Sequence, residues 1–593
     1  MLDEKTLYDK IYACWLGKNI GGTLGAPVEG RMELMNLTWY PKLPENGAAL
    51  PNDDLDLQLV ALHALEGHGT ALSCRDLAEE WREHVYFPWD EYGYAGTAMR
   101  LGFRPPYSGC FDNVFTDCMG SPIRSELWAA ICAGDPAGAA RFALLDACVD
   151  HAGGEGMYGE MFNAAAEAYA YVCDDIREII RVALAQVPEH CGTAVAVRCA
   201  LDCYDQGMTV VEARQTILDR IGSPNFTNAP QNIAFGICGI LWGRDFEDAI
   251  LTTANLGYDT DCTVATAGAL LGIMYGTSYI PEKWSAPIGT RVCVSSQIRG
   301  MKAPADLDEL TRRTLRQYRL HQAQTSFGGQ PGAPEVPERF DTQHYTIPEG
   351  VLDAEGVTVD LRYSRPTVCP EEACTVTAVL RNNTSWHWKL TARVLCPAGY
   401  ACGSAPACDI LPGEEKTLDF EITAGEGSGT RRSNDFVLVL TRDNDGNVWT
   451  EYRLPFVLLT PNVWHVAGKG VKRTAGTRVE LDAGERVLET TLFLPESVRG
   501  RRTQLICNSP RPIRLEVDGA TAFDSPATLY LPAYHRTPRA QKTMLSLAPG
   551  AHTVRVTVGE GRAEDAFFTF AVTVTHEVAE PGNFYAITDA FLR

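Results

Sequence analysis

Two acidic residues in the first half of the chain have the type and spacing needed to bind a metal ion. Asp259 and Asp261 are one residue apart, lie beside hydroxyl residues, and precede a run of small and apolar residues that reaches Gly276. Carboxylates at the start of a buried helix are costly without a counter-charge, and the helix dipole offsets only part of two charges. A hard divalent cation, which prefers oxygen ligands, meets that need. The alternative is an N-cap with one additional surface acid.

Two further segments carry acids in a similar setting. Asn52, Asp53 and Asp54 open the helical pattern LQLVALHALEG, although consecutive acids at a helix start are also common as solvated caps. Residues 17–30, GKNIGGTLGAPVEG, are glycine-rich and contain Glu29 as their only acid. This run lacks the G-x-x-x-x-G-K-[ST] order of a phosphate-binding loop. Its alternative interpretation is a helix-terminating turn with an exposed glutamate.

The elements that must position these acids are predicted to be helices. Residues 1–325 show helical periodicity, and the first helical pattern ends at Gly17. Residue types typical of helix N-caps predict further helix starts at Ser73, Asp135 and Asp245.

The composition changes after residue 325. Residues 326–340 are rich in glycine and proline and are predicted to be a linker. Alternating patterns such as VTVDLRY and TVTAVLRN then predict an immunoglobulin-like β-sandwich at 341–460. A second set, which includes RLEVDG and LAPGAHTV, predicts a jelly-roll-like sandwich at 461–593. The predicted fold class is multidomain, with an all-α helical domain at 1–325 followed by two all-β sandwich domains.

The charge of the chain excludes some classes of partner. The 593 residues carry a net charge of −23, and the basic clusters expected of a nucleic-acid or anionic-membrane binder are missing. The sequence has no run near the roughly 18 apolar residues of a membrane span. Its N-terminus has acids where a signal peptide has a positive region. The sequence therefore predicts a cytoplasmic protein with no nucleic-acid or membrane partner.

The 19 cysteines do not form a recognisable framework. Their number is odd, their spacing is irregular, and many fall inside helical patterns, which is typical of small buried hydrophobic residues. The sequence has no C-x-x-C pair, so a zinc knuckle is not indicated. One disulfide among the cysteines between 369 and 408 stays open.

Three motifs together resemble one family. They are GxxxGAPVE, which ends at Glu29, the acid pair at a helix N-terminus, and GYDTDxTxAxxGAxxGxxYG, which begins at Gly257. The chain resembles the ADP-ribosylglycohydrolase family over roughly residues 8–290. That family includes the dinitrogenase reductase-activating glycohydrolase and the ADP-ribosyl-acceptor hydrolases. The resemblance implies a compact α-helical fold with two Mg²⁺ or Mn²⁺ ions in a central cleft.

The resemblance also assigns roles to the acids. Asp53 and Asp54 are similar to the metal-ligand acids of the first family motif, and Asp259 and Asp261 to those of the second. Glu29 is similar to the glutamate that lies at the metal and takes part in catalysis.

Three positions depart from the family pattern. Asn52 and Leu55 stand where threonines are usual, and Cys262 replaces the threonine that follows the second aspartate as a ligand. An amide oxygen is an acceptable ligand, whereas a thiol is a poor partner for a hard cation. One metal is therefore expected to be weakly held or to be completed by water.

The middle of the helical part supplies predicted substrate-binding residues. Arg124, in the segment GSPIR, stands where the family has a glycine-rich loop and an arginine near the ribose. His151 is similar to a family histidine ahead of a helix. Asn228, in the polar loop NFTNAPQN, either lines the cleft or caps the helix that follows. A loop arginine and a helix-ending histidine are the alternative interpretations of the first two.

The resemblance predicts a metal-dependent hydrolase. It would cleave the bond at the anomeric carbon of a ribosyl, ADP-ribosyl or related glycoside, through water activated by two Mg²⁺ ions. Glu29 is predicted to accept the proton of the water or to protonate the leaving group. Asp54 and Asp259 are predicted to stabilise the positive charge that develops on the sugar.

Two other functions stay open. One is hydrolysis of a non-nucleotide furanosidic carbohydrate, because two phosphates would need basic neighbours, and near the motifs the sequence offers only Lys18, Arg31, Arg100, Arg104 and Arg124. The other is non-catalytic binding of a glycan or of ADP-ribose, which Asn52, Leu55 and Cys262 favour.

The β domains suggest a carbohydrate setting by fold analogy with the accessory modules of bacterial carbohydrate-active enzymes. They alternatively cover the mouth of the active site or form a homo-oligomer. Five aromatic residues either stack on sugars or belong to the sandwich cores, namely Trp386, Trp388, Trp464, Tyr530 and Tyr534.

Overall fold

The computed structural model describes most of the chain. It covers residues 3–44, 46–328, 344–345, 352–354, 356–403, 406–443, 449–496, 499, 502–533, 535–575, 585–586 and 591–592. Most of the predicted linker at 326–340 and the side chain of Tyr534 lie outside these residues. The chain forms two compact units, one from residues 1–87 and 115–338 and the other from 88–114 and 339–593.

Helices account for most of the first unit, as the sequence predicts. Fourteen of the helices named here lie in the first unit, and α4 and α5 lie in the second. In chain order the helices are α1 (Glu4–Gly25), α2 (Asp53–His68), α3 (Cys74–His84), α4 (Asp90–Arg100), α5 (Tyr107–Cys110), α6 (Glu126–Ile131), α7 (Pro136–Ala147), α8 (Glu155–Ala170), α9 (Ile176–Leu184), α10 (Gly192–Asp205), α11 (Val210–Ile221), α12 (Ala229–Trp242), α13 (Phe246–Asn255), α14 (Thr260–Tyr275), α15 (Glu282–Ser285) and α16 (Leu307–Gly328).

The predicted helix starts are confirmed. Ser73 and Asp76 form a reciprocal capping box at the start of α3. Asp135 and Asp245 accept hydrogen bonds from backbone N–H groups in the first turns of α7 and α13. The predicted end of the first helix at Gly17 is wrong, because α1 continues to Gly25.

The glycines of α1 serve close helix packing instead of ending the helix. A Cβ atom built on Gly17 would lie 2.1 Å from the carbonyl oxygen of Gly268, and one on Gly21 would lie 2.2 Å from that of Val264. The later residue of α1 contacts the earlier residue of α14. The two helices are therefore antiparallel neighbours with their backbones in contact. Only glycine permits an approach this close.

The second unit contains antiparallel β-sheets, which confirms the β character predicted for the C-terminal region. The first group of strands is β1 (His344–Tyr345), β2 (Leu352–Ala354), β3 (Val357–Tyr363), β4 (Cys374–Asn382), β5 (Trp388–Leu395), β6 (Tyr400–Cys402), β7 (Ala407–Ile410), β8 (Glu415–Ala424), β9 (Ser433–Asp443) and β10 (Trp449–Leu459). One of its sheets has the order β1-β3-β4-β8-β6, with β2 also paired to β3, and the other has the order β10-β9-β5-β7.

The second group of strands forms a further pair of sheets. It comprises β11 (Asn462–Val466), β12 (Gly470–Thr474), β13 (Arg478–Glu480), β14 (Val487–Leu494), β15 (Arg502–Asn508), β16 (Ile513–Val517), β17 (Ala520–Ser525), β18 (Lys542–Leu545), β19 (Gly550–Val558), β20 (Phe567–Thr575), β21 (Tyr585–Ala586) and β22 (Phe591–Leu592). The sheet orders are β12-β11-β14-β19-β16-β17, with β22 on β14, and β13-β20-β15-β18, with β21 on β20.

Each pair of sheets has its own hydrophobic core. Strands such as β4 alternate buried and less buried residues, as expected for sheets with one face against a core. Trp388 and Trp464 belong to these cores and are 1% and 0% exposed. Trp386, in contrast, is 70% exposed on the loop before β5. Among the predicted sugar-stacking aromatics, the core interpretation therefore applies to Trp388 and Trp464.

A segment from within the helical region belongs to the β unit. Residues 88–114, which include α4 and α5, are tied to the sandwiches by side-chain contacts. Tyr94 donates to the carbonyl oxygen of Pro532 at 2.7 Å, and the carboxylate of Asp112 accepts a hydrogen bond from the backbone of Thr477 at 2.6 Å. The boundaries predicted for the domains, with the helical domain at 1–325, stay a prediction.

All 19 cysteines lie within the described residues and none forms a disulfide, which answers the open question of a disulfide between residues 369 and 408. Thirteen of them are buried, in keeping with the predicted role as small hydrophobic residues. Within the described ranges, none of the helices is both long enough and apolar enough to cross a membrane.

The contact of α1 with α14 predicts a strong penalty for one methyl group. We expect Gly21→Ala to lower the free energy of unfolding by about 1–3 kcal/mol, since the added Cβ collides with backbone that cannot rotate away. The measurement is urea unfolding of the full chain, followed by the helical circular dichroism signal.

The matched control is Gly67→Ala on α2. Gly67 is exposed, and a Cβ there meets nothing within 4 Å. It should raise stability by about 0.5–1 kcal/mol, because alanine favours helix more than glycine does. Equal effects of the two substitutions would contradict the close packing.

Candidate metal centre and active site

Three chain segments meet where α1 ends and where α2 and α14 begin. A Cβ atom on Gly25 would lie 2.3 Å from the carbonyl oxygen of Thr260, so the end of α1 is in contact with the first residue of α14. A Cβ atom on Gly22 would lie 2.9 Å from the side-chain nitrogen of Asn52, the N-cap of α2. The glycine-rich segment thus brings both acidic motifs to the same place.

Backbone hydrogen bonds connect the segment after α1 to the residue before Asp259. The N–H of Gly30 donates to the carbonyl oxygen of Tyr258 at 2.9 Å, and the N–H of Tyr258 donates to that of Arg31 at 2.7 Å. Gly257 adopts a φ of +77°, and a Cβ there would lie 2.6 Å from the carbonyl oxygen of Arg31. Both the positive φ and the short distance to Arg31 require glycine at position 257. The backbone contacts of this loop hold Glu29 next to the second acidic motif.

Arg214, which no sequence motif marked, holds the same two loops together. Its guanidinium donates to the carbonyl oxygens of Leu256, at 2.7 Å, and Met32. It also lies 5.3 Å from the ring centre of Tyr258. A lone arginine on a surface-patterned helix carries no motif, so no signal in the sequence marked it.

The carboxylates form two clusters that share one residue. Ligand atoms of Glu29, Asp259 and Asp261 lie within 4.8 Å of one another, and so do those of Asp54, Asp261 and Cys262. Asp54 and Asp259 are 1% exposed, whereas Glu29 is exposed. The arrangement offers two neighbouring positions for a cation, with Asp261 between them.

The electrostatics of these clusters call for positive charge. Burial, together with the nearby carboxylate of Asp261, raises the pKa of both Asp54 and Asp259 well above the usual value. Asp53 adds to the repulsion felt by Asp54. Both side-chain oxygens of Asp259 are buried, and among the described residues the nearby Cys262 thiol, a weak donor, is the group that lowers the Asp259 pKa. Buried carboxylate oxygens that lack strong donors fit a hard divalent cation such as Mg²⁺, so the residues present suit the ions that the sequence predicts.

Asn52 and Cys262 have local roles beside the acids. The side-chain oxygen of Asn52 accepts the backbone N–H of Asp54 at 3.2 Å, so it caps α2. The thiol of Cys262 donates to a carboxylate oxygen of Asp54 at 3.7 Å. Burial and the surrounding carboxylates raise the pKa of that thiol, which keeps it protonated and makes it a poor ligand.

A buried lysine lies behind Asp54. Lys18 is 2% exposed, and its Nζ atom lies 2.7 Å from Glu126 and 3.5 Å from Asp54. Burial alone lowers the pKa of Lys18, but the carboxylates of Glu126 and Asp54 outweigh it and raise that pKa. Gln58 also donates to Glu126 at 2.7 Å. Glu126 lies in an ordinary helical pattern, which is why the sequence did not identify it.

Arg124 belongs to a second buried network. Its Nε atom donates to Asp146 at 2.9 Å, and its two Nη atoms donate to Asp150 at 3.0 and 2.6 Å. The remaining two N–H groups donate to the carbonyl oxygens of Gly120 and Asp146 at 2.8 and 3.3 Å. All five N–H donors are therefore engaged within the protein, and the predicted contact of Arg124 with substrate stays a prediction.

The other two predicted substrate-binding residues differ in their burial and in their partners. His151 is fully buried, and its Nδ1 atom lies 3.0 Å from the carboxylate of Asp150. Asn228 is half-buried, and its carbonyl oxygen accepts a hydrogen bond from Asn232 at 2.9 Å. The side chain of Asn232 in turn accepts the backbone N–H of Asp259 at 3.2 Å. Asn228 is thus connected to the carboxylate clusters, whereas His151 lies with the Arg124 network.

The fold and the site define a protein whose helical unit contains a buried carboxylate centre suited to divalent cations. A sequence model of the ADP-ribosylglycohydrolase family matches residues 3–324, more than half of the chain. The protein belongs to that family.

Individual relatives align over short stretches. An ADP-ribosylarginine hydrolase, Tri1, from Serratia proteamaculans (strain 568) is 51% identical over 45 residues, which are 7% of this chain and 12% of that protein. The Tri1 protein of Pseudomonas putida (strain GB-1) is 36% identical over 73 residues, 12% of this chain and 19% of that protein. The chain thus aligns with less than a fifth of either relative. A solved ADP-ribosylglycohydrolase-related protein complex aligns with 54% of this chain and 99% of its own, at 19% identity and a TM-score of 0.34.

The Arg124 network predicts a specific dependence on pH. Burial alone raises the pKa of Asp150, but Arg124 and His151 outweigh it and hold that pKa below its usual value. A depressed pKa means that the pair stabilises the fold fully at neutral pH and loses this effect as the pH falls below about 4. We expect Asp150→Asn to lower the free energy of unfolding by about 3–5 kcal/mol at pH 7.

Urea unfolding at a series of pH values measures this effect. The difference between Asp150→Asn and the wild type should shrink below pH 4. The control is Asp205→Asn, which removes an exposed ion pair with Arg177 and should have a far smaller effect. A deficit of Asp150→Asn that does not change with pH would argue against the ion-pair explanation.

Proposed function

We propose that the protein is a divalent-metal-dependent hydrolase that cleaves the bond at the anomeric carbon of an ADP-ribosyl group. The observation that carries this proposal is the meeting of Glu29, Asp54, Asp259 and Asp261 at three helix ends, with buried oxygens that lack strong donors. Membership of the ADP-ribosylglycohydrolase family supports the reaction class. The arginine linkage named in the two Tri1 relatives is the first linkage to test.

Two Mg²⁺ ions are the proposed cofactors, with Mn²⁺ able to replace them. Asp54 and Asp261 would hold one ion and Glu29, Asp259 and Asp261 the other, since these are the members of the two clusters. When bound, the ions polarise the sugar hydroxyls and lower the pKa of a bound water.

The residues of the chain then divide the work by exposure. Glu29 is exposed, so it is the carboxylate able to exchange a proton with water or with the leaving group. Asp259 is buried and fixed by Asn232, so it supplies stationary negative charge near the anomeric carbon as positive charge develops there. The oxygen of water bonds to the anomeric carbon, the bond to the acceptor breaks, and the acceptor leaves with a proton.

A second candidate substrate is a non-nucleotide glycoside. Of the five basic residues that the sequence offers near the motifs, Lys18 and Arg124 are buried against their own carboxylates. Arg31, also in the helical unit, is exposed. This scarcity of available positive charge favours a substrate with less negative charge than a diphosphate.

The test is a hydrolysis screen of the full chain with Mg²⁺. The substrates are ADP-ribosylated arginine peptides and a panel of aryl furanosides and pyranosides. We expect Glu29→Gln to lower kcat by about 100- to 10,000-fold, the usual effect of losing a general acid or base. Chelation of the metal should abolish activity.

The matched control is Glu33→Gln, which removes an exposed acid four residues away in the same loop. It should retain the activity of the wild type. Release of a simple sugar alone would select the second candidate. No hydrolysis of either class would refute the proposal and leave the non-catalytic binding function, and unchanged kcat in Glu29→Gln would remove that residue from the mechanism.

A further inference from the structure

A second group of metal-binding side chains lies outside the carboxylate clusters. His63 on α2 and Glu80 and His84 on α3 have ligand atoms within 4.8 Å of one another. One carboxylate oxygen of Glu80 lies 2.7 Å from Nδ1 of His63 and 3.4 Å from Nε2 of His84. Two imidazoles and a carboxylate are a donor set typical of Zn²⁺ sites that keep one position open.

The helices fix the positions of these side chains. Glu80 and His84 are four residues apart and therefore share one face of α3. The capping box of Ser73 and Asp76 anchors the start of that helix. Glu80 and His84 are mostly buried, with side chains 12% and 13% exposed. The side chain of His63 is 39% exposed, so the group opens to solvent on that side.

The hydrogen bonding of His84 directs a lone pair into the group. Its Nδ1 atom lies 2.7 Å from the carbonyl oxygen of Arg299, which can only accept, so Nδ1 carries the proton. In the neutral ring Nε2 is then an acceptor, and it faces a carboxylate oxygen of Glu80 at 3.4 Å. Two acceptors face each other favourably only when a proton or a cation lies between them. A backbone carbonyl that orients the distal nitrogen is also the usual support of a metal-binding histidine.

The spacing fits a tetrahedral ion. Ligands at about 2.0–2.1 Å from Zn²⁺ lie about 3.3 Å from one another in a tetrahedron. The distance of 3.4 Å between Glu80 and His84 agrees with this value, and the 2.7 Å to His63 needs only a small side-chain rotation. His68 lies at the edge of the group, with Nε2 3.9 Å from the other oxygen of Glu80. Water or His68 is available for the fourth position.

We propose that His63, Glu80 and His84 bind a transition-metal ion, Zn²⁺ by preference, at a site separate from the carboxylate centre. Nitrogen donors select Zn²⁺, whereas the carboxylates at the start of α2 suit Mg²⁺. The ion would join α2 to α3 and, through the bond from His84 to Arg299, to a distant part of the chain. It would thereby hold the C-terminal part of α2, whose first turn carries Asp54.

The test is zinc binding by the full chain in excess Mg²⁺. Protein freed of metal by a chelator is titrated with Zn²⁺ against a chromophoric zinc indicator under reducing conditions. We expect the wild type to bind one tight equivalent and the double variant His63→Gln/His84→Gln to lose it. Each single variant should bind at least about tenfold more weakly. Zn²⁺ should raise the melting temperature of the wild type and not that of the double variant.

Two further variants locate the ion. His190→Gln removes an exposed histidine elsewhere and should bind like the wild type. Asp261→Asn disables the carboxylate centre and should keep the zinc equivalent. Zinc that is lost with Asp261→Asn, or retained by the double variant, would overturn the proposal. Failure of the wild type to bind zinc would also overturn the proposal, since Glu80 and His84 would then form only an ion pair.

Substitution of Co²⁺ for Zn²⁺ covers the case in which the double variant fails to fold, as judged by its helical circular dichroism. The wild-type cobalt spectrum should show tetrahedral coordination without thiolate charge-transfer bands. Thiolate bands would assign the ion to the free cysteines and reject the histidine site.

Discussion

The mutual repulsion of buried carboxylates is the constraint on which the helical unit depends. Asp54 is buried at the start of α2, and Asp259 and Asp261 are buried at the start of α14, where both helices meet the end of α1. Local preference alone places none of them there. They come together because the glycines of α1 let it touch the backbone of α14, while Gly22 leaves room for Asn52 at the start of α2. The tight packing therefore supplies the geometry, and the charge that this geometry concentrates suits a divalent cation.

Two buried cations of the unit, Lys18 and Arg124, are balanced locally by other groups. Lys18 is shared between Glu126 and Asp54, and Arg124 is saturated by Asp146, Asp150 and two carbonyl oxygens. Neither cation reaches Asp259. Both cations are therefore paired with acceptors within the protein.

The sequence was informative where a local pattern of residue types predicts a structure by itself. The N-caps and the strand alternation predicted the fold class. The acidic motifs indicated one shared site, and the structure places Glu29, Asp54, Asp259 and Asp261 close together. The sequence failed where tertiary packing decides. Gly17 suggested a helix end because a glycine can terminate a helix, but here it meets Gly268 inside a continuous α1. The contacts of Arg214 with two distant loops leave no local pattern, and neither does the association of residues 88–114 with the β unit.

The most direct test of the account is anomalous diffraction from crystals of the full chain grown with Mn²⁺. We expect anomalous peaks within ligand distance, about 2.0–2.3 Å, of carboxylate oxygens of Asp54, Asp259 and Asp261. Peaks bridged by Asp261 would establish that the contact of α1 with α14 builds the metal centre. A map with ordered carboxylates and no peak among them would contradict it.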